Sequence, residues 1–362
     1  MLETDYKSLP TGVQDANLNF LMVDRMFQLH KNIDLKPYNT FGIRASADGL
    51  VEFSNAVALI DYLEHNPLPE SYFILGGGSN LLFTGNYSGW LFYPNIPGLH
   101  VVKENRHHIW LEAGAGVTWD NLVAFAVGSG WGGVENLSGI PGMVGATPVQ
   151  NIGAYGAEVG ERIERVKAID LLKKKEVTFS RDECCFAYRN SLFKNERKNQ
   201  VVVTSVVYKL DKSPVYNLDY GSLKAEVERQ GTLSLSTIRQ TIMSIRDSKL
   251  PDYHTIGNAG SFFKNPVLDR TRVESLMEQY PGMPVYTTPD REKRKLAAGW
   301  LIDQCGWRGY REGDAGVHPG QALVLVNYGE ASGRDIFHLS EKIRQSVSER
   351  FGVLLEPEVN IL

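Results

Sequence analysis

The stretch from Glu135 to Gly160, ENLSGIPGMVGATPVQNIGAYGAEVG, constrains this chain more than any other. It is rich in glycine, holds two prolines and is nearly free of charge. Glycine loses the most backbone freedom on folding and proline withholds a donor, so neither a regular helix nor a regular strand suits it. It is also too apolar for a disordered linker. A segment this long without its own secondary structure, inside a folded chain, is normally functional. Its neutral hydrogen-bonding side chains, Asn136, Ser138, Thr147, Gln150 and Asn151, suit a phosphate-containing ligand with a polar heterocycle. Tyr155 adds a flat face. The other reading is an elaborate structural loop.

A second glycine signal, GGGSN, spans Gly76–Asn80 and follows an apolar run from Tyr72 to Leu75. Successive amides in such a turn form a nest for an anion, and Ser79 and Asn80 add side-chain donors. A tight hairpin is the competing reading. The GSGWGG stretch at Gly128–Gly133 matches GxGxxG only formally, because it follows a helical pattern and leads into a loop. A dinucleotide fingerprint follows a strand and opens a helix. There is no GxxxxGK[ST] loop, no HExxH and no Cys/His cluster, so P-loop chemistry and a catalytic metal are not expected.

At 362 residues the chain exceeds one ordinary core, and two or three domains are expected. A net charge of -4 without a Lys/Arg tract gives no footprint for nucleic acid. Cys184, Cys185 and Cys305 form no disulfide framework and suit a reducing compartment. No signal peptide and no apolar run long enough to span a membrane are visible, so a cytoplasmic monomer is expected. Residues 1–30 are weakly patterned. Met22 and Met26 are alternative translation starts, and a loosely attached arm is the other reading.

The pattern predicts a helix over Leu50–Leu63, strands near GWLFYPNI and HHIWLEAGAG, and a helix with Trp119, Leu122, Val123 and Ala126 on one side. Strands follow at ERVKAIDLL, KEVTFS and QVVVTSVVYKL, then a linker, DKSPVYNLDYGSL, and a helix over Ser236–Ser248. A further domain is expected from about Leu250, with helices at RTRVESLMEQY and SGRDIFHLSEKIRQSVSERFG and a strand at QALVLVN. The order points to mixed α and β layers.

PYNTFGI, LGGGSNLLF, LSGIPGMVGATPVQNIGAYG, YRNSLFK, GNAGSFFKNP, KLAAGWLIDQCG and LEPEVNIL occur in this order. Together they resemble the UDP-N-acetylenolpyruvoylglucosamine reductase family over residues 32–362, in the longer form that carries a substrate-loop tyrosine. The resemblance implies an α+β protein. An FAD-binding region of the vanillyl-alcohol-oxidase (PCMH) type would occupy 31–212 in two subdomains, 31–95 and 96–212. A linker and substrate loop would fill 213–249, and an α+β substrate-binding domain 250–350. A C-terminal segment, 351–362, would carry a catalytic glutamate. The implied chemistry is NADPH-driven, FAD-dependent reduction of the enolpyruvyl UDP-sugar to UDP-N-acetylmuramate in peptidoglycan biosynthesis. FAD would be non-covalent, and NADPH and the UDP-sugar would use one cleft in turn.

The same resemblance implies the site residues. Gly76, Gly77, Gly78, Ser79 and Asn80, with Ser138, Gly139, Pro141, Gly142, Gly145, Ala146, Gln150, Asn151, Gly153 and Tyr155, would hold FAD. Arg189 would meet the enolpyruvyl carboxylate, where a guanidinium fork can steady enolate charge. Glu358 would hydrogen-bond that group as a protonated acid, and Ser261 would give the proton to carbon. Tyr220, Lys249, Asn265, Tyr286, Arg308 and Gln321 would face the substrate. Read without the resemblance, Ser261 is a helix cap or a turn hydroxyl and Arg189 a surface ion-pair partner. Another FAD-dependent oxidoreductase and a non-catalytic nucleotide-binding protein are the competing classes.

Overall fold

The computed structural model describes residues 27–362, so the alternative starts at Met22 and Met26 lie outside the described residues. The chain enters on strand β1 (Phe27–Asp34), which places residues 27–30 in a sheet, and returns antiparallel on β2 (Ser46–Phe53). Helix α1 (Ala56–His65) comes next. The single helix expected over Leu50–Leu63 is therefore two elements. β2 is buried on both faces, Leu50 in one core and Val51 with Phe53 in another, so its apolar run carries no helical period. Asn55 then breaks the run by capping α1, its Oδ1 accepting the Ala58 amide at 2.9 Å.

After α1 come β3 (Tyr72–Ile74), β4 (Leu81–Leu82) and β5 (Tyr87–Pro94). The first sheet has the order β1-β2-β5-β3, and β2, β5 and β3 run parallel. The Gly76–Asn80 turn is not a hairpin, because β3 and β4 belong to different sheets. β6 (Leu99–Glu104), β7 (His108–Gly114) and helix α2 (Trp119–Gly128) follow. The long glycine-rich segment then contributes short pieces: 3-10 turns at Glu135–Leu137, Val144–Ala146 and Val159–Glu161, and a two-residue pair, β8 (Gly153–Ala154) with β9 (Ala157–Glu158). β10 (Ile163–Asp170), β11 (Lys175–Ser180) and β12 (Val201–Asp211) complete an antiparallel second sheet of order β11-β10-β12-β7-β6. Its core receives Trp119, Leu122, Val123 and Ala126 from α2, as their spacing predicts.

The linker holds a helix that the sequence reading missed, α3 (Leu223–Gln230), packed on α4 (Leu235–Lys249) through Leu223, Val227, Ile238 and Ile242. Leu223 and Val227, four apart, were its signal. The remaining chain gives β13 (Gly257–Ser261), β14 (Val267–Asp269), α5 (Arg270–Gln279), β15 (Val285–Thr287), β16 (Lys293–Leu296) and α6 (Ala298–Gln304). Then come β17 (Arg311–Glu312), β18 (Ala315–Val317), β19 (Val324–Asn327), α7 (Gly333–Phe351) and β20 (Asn360–Ile361). The third sheet has the order β13-β19-β18-β17, and β14-β16-β15 forms a smaller one. Ser332 and Asp335 close α7 with a reciprocal capping box.

The first and third sheets share one core, in which Leu35, Phe41 and Leu91 meet Phe262, Leu301, Ile336 and Ile343. The junction is made of backbone. The Asn258 amide donates to the Thr40 carbonyl at 3.0 Å, and Asn327 Nδ2 donates to the Phe41 carbonyl at 3.0 Å. Gly257 lies so close that a Cβ there would overlap the Phe41 carbonyl oxygen. We expect Gly257→Ala to destabilise the protein by about 1–3 kcal/mol, the range for overpacking. A lower urea midpoint with unchanged m-value is the readout.

Candidate functional site

A cleft of about 550 Å³ opens where the Gly76–Asn80 turn meets the long glycine-rich segment. Cofactor-sized clefts run roughly 300–1,000 Å³. The two segments touch backbone to backbone. A Cβ on Gly77 would lie 3.2 Å from Gly142 Cα, and one on Gly76 3.2 Å from Ala146 Cβ. Gly145 fits as tightly, since its Cβ would lie 2.7 Å from Ala115 Cβ. Ser79 Oγ donates to the Pro141 carbonyl at 3.0 Å, and Asn80 Nδ2 to Gln150 Oε1 at 2.7 Å. Among the described residues, none of the backbone N–H groups from Gly76 to Asn80 has a hydrogen-bond partner. All five residues line the cleft, so the turn offers a row of unused donors that suits a phosphate or diphosphate.

The long segment is moored by side chains. Trp119 is fully buried, and its Nε1 donates to the Leu137 carbonyl at 2.8 Å. Thr147 Oγ1 meets the buried Tyr208 hydroxyl at 2.7 Å, and Tyr208 stacks near Trp119 with ring centres 5.6 Å apart. Asn136 Nδ2 donates to the carbonyls of Tyr155 and Asn217, tying the segment to the linker. The expected cofactor contacts divide accordingly. Gly76 to Asn80, Pro141, Gly142, Gly145, Ala146 and Gln150 line the cleft. Ser138 and Asn151 are buried with side chains used inside the chain: Ser138 Oγ donates to Glu135, while Asn151 bonds Glu158, Ala187 and Gly160. The Gly139 amide is held by Asp120, and Tyr155 turns its ring edge to Tyr220. These four lie outside the cleft lining. Gly153 serves instead through its carbonyl, which accepts from Arg189 Nη2 at 2.7 Å.

Arg189 lines the cleft and joins it to the C-terminal segment. It lies in a tight turn in which Ala187 and Asn190 exchange backbone hydrogen bonds. Its φ of 51° is left-handed, an unfavoured conformation for arginine. Arg189 Nε donates to Glu358 Oε1 at 2.8 Å, with both side chains under a fifth exposed. Glu358, expected as a protonated acid on the substrate, is here the partner of Arg189 in an ion pair. The Glu358 amide donates to the Phe262 carbonyl at 2.8 Å, which sets Glu358 beside the end of β13. Ser261, the last residue of β13, is exposed. It starts no helix, and among the described residues its hydroxyl has no partner, so the capping role does not hold. The C-terminal segment then reaches the glycine turn, with the Asn360 amide on the Asn80 carbonyl and Asn80 Nδ2 on the Glu358 carbonyl.

Around this end stand aromatic and cationic side chains. Lys295 Nζ lies 4.7 Å above the Tyr188 ring and 5.9 Å from the Tyr286 ring, and the Arg189 guanidinium lies 5.3 Å from Tyr188. Burial, then the charge of Arg189, pushes the Lys295 ammonium down. Burial, then Tyr286, pushes the Tyr220 hydroxyl up, so it stays a neutral donor. Asn265 Oδ1 accepts the first amide of α6, from Ala298, at 3.0 Å. Gln321 Oε1 accepts the Leu323 amide at 3.3 Å. Lys249 is exposed at the end of α4. Arg308 is taken up by Asp303 through two bonds of 2.7 and 2.9 Å, which leaves it less available to a ligand than expected.

A family model described as UDP-N-acetylenolpyruvoylglucosamine reductase, C-terminal domain, matches residues 251–362, and one described as FAD binding domain matches 55–174. A protein named UDP-N-acetylenolpyruvoylglucosamine reductase from Bacteroides fragilis is 44% identical over 92% of this chain and 100% of its own. Relatives of the same name from Flavobacterium johnsoniae and Chromobacterium violaceum are 43% and 44% identical, each over 92% of this chain and at least 99% of their own. The chain belongs to the UDP-N-acetylenolpyruvoylglucosamine reductase family. The crystal structure of UDP-N-acetylenolpyruvylglucosamine reductase from Thermus caldophilus, 24% identical, shares the fold with a TM-score of 0.65 over 92% of this chain and 99% of its own. Among the described residues no helix is long and apolar enough to cross a membrane, and no group of side chains could hold a metal ion.

Members of this reductase family are enzymes, and this chain has the cleft of one. The sequence reading missed Tyr188, Lys194, Lys264 and Lys295, which border the cleft or its mouth. Tyr188 and Lys194 stand in YRNSLFK beside Arg189, and Lys264 three residues after Ser261, so proximity in sequence was the available signal. The glycine turn gives a direct test. Gly78 has a φ of +63°, and a Cβ there would overlap the Tyr38 carbonyl oxygen. An L-residue in that conformation costs about 1–2 kcal/mol before any clash. Gly78→Ala should purify with little flavin and give a lowered melting temperature. The ratio of absorbance at visible and ultraviolet wavelengths measures the first effect.

Proposed function

We propose that this protein reduces the enolpyruvyl group of UDP-N-acetylenolpyruvoylglucosamine to give UDP-N-acetylmuramate, using FAD and NADPH. The observation that carries this reading is the meeting of Arg189, Glu358 and the end of β13 at one end of a cleft whose other wall is a row of free amides. FAD, when bound, supplies the hydride chemistry, taking a hydride from NADPH and giving it to the enolpyruvyl methylene carbon. The amides of Gly76–Asn80 would hold its diphosphate, with Ser79 and Asn80 fixing the turn. Pro141, Gly142, Ala146 and Gln150 would flank the rest of the cofactor. Among the described residues the cleft lining has no histidine or cysteine, which supports non-covalent FAD. A chain of this reading has a PCMH-type FAD region in two subdomains and a substrate domain from about Leu250.

Hydride addition to the methylene carbon leaves an electron pair on the neighbouring carbon, delocalised into its carboxylate. Arg189 spends its Nε hydrogen on Glu358 and one Nη2 hydrogen on Gly153, and its other N–H groups are open to that carboxylate. A fixed cation there stabilises the charge as it develops. Glu358 holds the guanidinium in place before the substrate arrives. Ser261 Oγ–H donates the proton to the carbon, and its exposure lets water restore that proton. Tyr220, a neutral donor beside Tyr286, would close over the UDP-sugar, and Lys249 and Asn265 would serve its diphosphate.

Two measurements check this reading. Ser261→Ala should bind FAD and accept electrons from NADPH as the unaltered protein does, because among the described residues no hydrogen bond depends on its hydroxyl. Flavin reoxidation by the enolpyruvyl UDP-sugar should slow about 10²–10⁴-fold, the range for a lost general acid. Stopped-flow mixing of pre-reduced protein with substrate reads this directly, and an unchanged rate would remove Ser261 from the chemistry. Tyr220→Phe should weaken substrate binding while leaving flavin reduction by NADPH unchanged. Equal losses in both would argue against its role over the substrate.

A further inference from the structure

Lys194 lines the cleft, and the roles above leave it unused. It ends a short 3-10 helix, Leu192–Lys194, whose backbone is pinned from several sides. Ser191 Oγ donates to the Val149 carbonyl at 2.6 Å and accepts the Phe193 amide, Phe193 is buried, and Asn195 Nδ2 bonds Asn190 Oδ1 and the Ser191 carbonyl. The ammonium donates to the Arg189 carbonyl at 3.3 Å. Among the described residues no carboxylate lies within ion-pair distance of it. The charges that face it are Lys264, Arg189 and Lys198, all positive, and Glu358. Glu358 is already paired with Arg189, and Lys264 with Glu356. Burial, then the charge of Lys264, pushes the Lys194 ammonium down. A half-buried cation without a counter-ion is unfavourable until an anion enters the cleft.

The site has two uses for an anion. The cofactor diphosphate already has the amides of Gly76–Asn80. Lys194 belongs to the other end, through its bond to the Arg189 carbonyl and its field at Glu358. The redox ring must lie at that end if hydride is to reach a carbon beside Ser261. That ring is neutral when oxidised. Uptake of a hydride, two electrons and one proton, leaves it with one negative charge. We propose that Lys194 is the counter-charge to the flavin ring after hydride uptake, holding reducing equivalents on the protein between the two halves of the reaction. This rests on the FAD- and NADPH-dependent reading above. Charge placed near the ring is one of the means by which a protein tunes a flavin.

Lys194→Met removes the charge and keeps the length of the side chain, Lys194→Gln does so with a polar end, and Lys194→Arg keeps the charge. The readouts are the dissociation constant of oxidised FAD from the apoprotein and the two-electron midpoint potential of the bound flavin against a reference dye. Lys194→Met and Lys194→Gln should shift the equilibrium at least tenfold toward oxidised flavin, a fall of about 30 mV. Affinity for oxidised FAD should change less than about threefold, an energy of about 0.6 kcal/mol, and Lys194→Arg should recover most of the shift. An unchanged potential with weaker FAD binding assigns Lys194 to the diphosphate and overturns the proposal. An unchanged potential with unchanged binding makes it a strut for the Arg189 turn, and also overturns it. If neither neutral variant retains oxidised FAD, the residue serves the oxidised cofactor and the proposal again falls. Failure of the unaltered apoprotein to bind FAD would instead sink the underlying reading.

Discussion

The rest of this structure depends on backbone meeting backbone between two glycine-bearing segments. Side chains at Gly76, Gly77 or Gly142 would hold the walls apart, because their Cβ atoms would lie at or within 3.2 Å of the facing segment, and one at Gly145 would lie 2.7 Å from Ala115 Cβ. Glycine removes that obstacle but leaves a chain with no reason to stay in one conformation. The order comes from beneath. Trp119 of α2 and Tyr208 of the second sheet hold the long segment through Leu137 and Thr147, and Asn136 ties it to the linker. A regular, well-packed layer thus supports an irregular one, and the irregular one presents its amides.

The ion pair between Arg189 and Glu358 closes the site across 169 positions of sequence. It has two supports. On one side a strained turn aims Arg189, and on the other a short stretch of main-chain bonds beside β13 aims Glu358. The same C-terminal stretch continues to the Gly76–Asn80 turn, with Asn360 on Asn80 and β20 on β4. Anything that disturbs the last residues of the chain therefore reaches both the glycine turn and Arg189. The shared core of the first and third sheets makes this possible, because it fixes β13 relative to β4.

Much of this was legible in the sequence where a single period governs a segment. α2 showed its buried side at Trp119, Leu122, Val123 and Ala126, and β10, β11 and β12 showed themselves as alternating or continuous apolar runs. Leu50–Leu63 misled because a doubly buried strand and the following helix are both apolar, and only Asn55 marks the boundary. α3 was missed because it directly follows a stretch whose Pro214, Asn217 and Gly221 read as linker. In the site, the glycine turn was visible from its residues, whereas Arg189 was singled out only through the family resemblance. The split of the long segment into cleft-lining residues and anchors was not visible. Ser138 and Gln150 are alike in chemistry, and only the fold decides that one faces Glu135 and the other Asn80. Arg308 likewise looks like a free cation until Asp303, five residues earlier, is seen across the helix end.

Charge is unevenly distributed around the cleft. Its glycine walls offer amide dipoles rather than charges, which suits an anionic group such as a diphosphate. Arg189, Lys194, Lys198 and Lys264 line the cleft, and Lys295 stands beside Tyr188. Of the four cations Arg189, Lys194, Lys264 and Lys295, two are answered by carboxylates, through Glu358 and Glu356. Among the described residues Lys194 and Lys295 have no such carboxylate, and burial moves both ammonium groups down. A site in this state has partly met the desolvation cost of its cations before any ligand binds. An incoming anion then meets donors stripped of water and fixed in place, which strengthens each contact it makes.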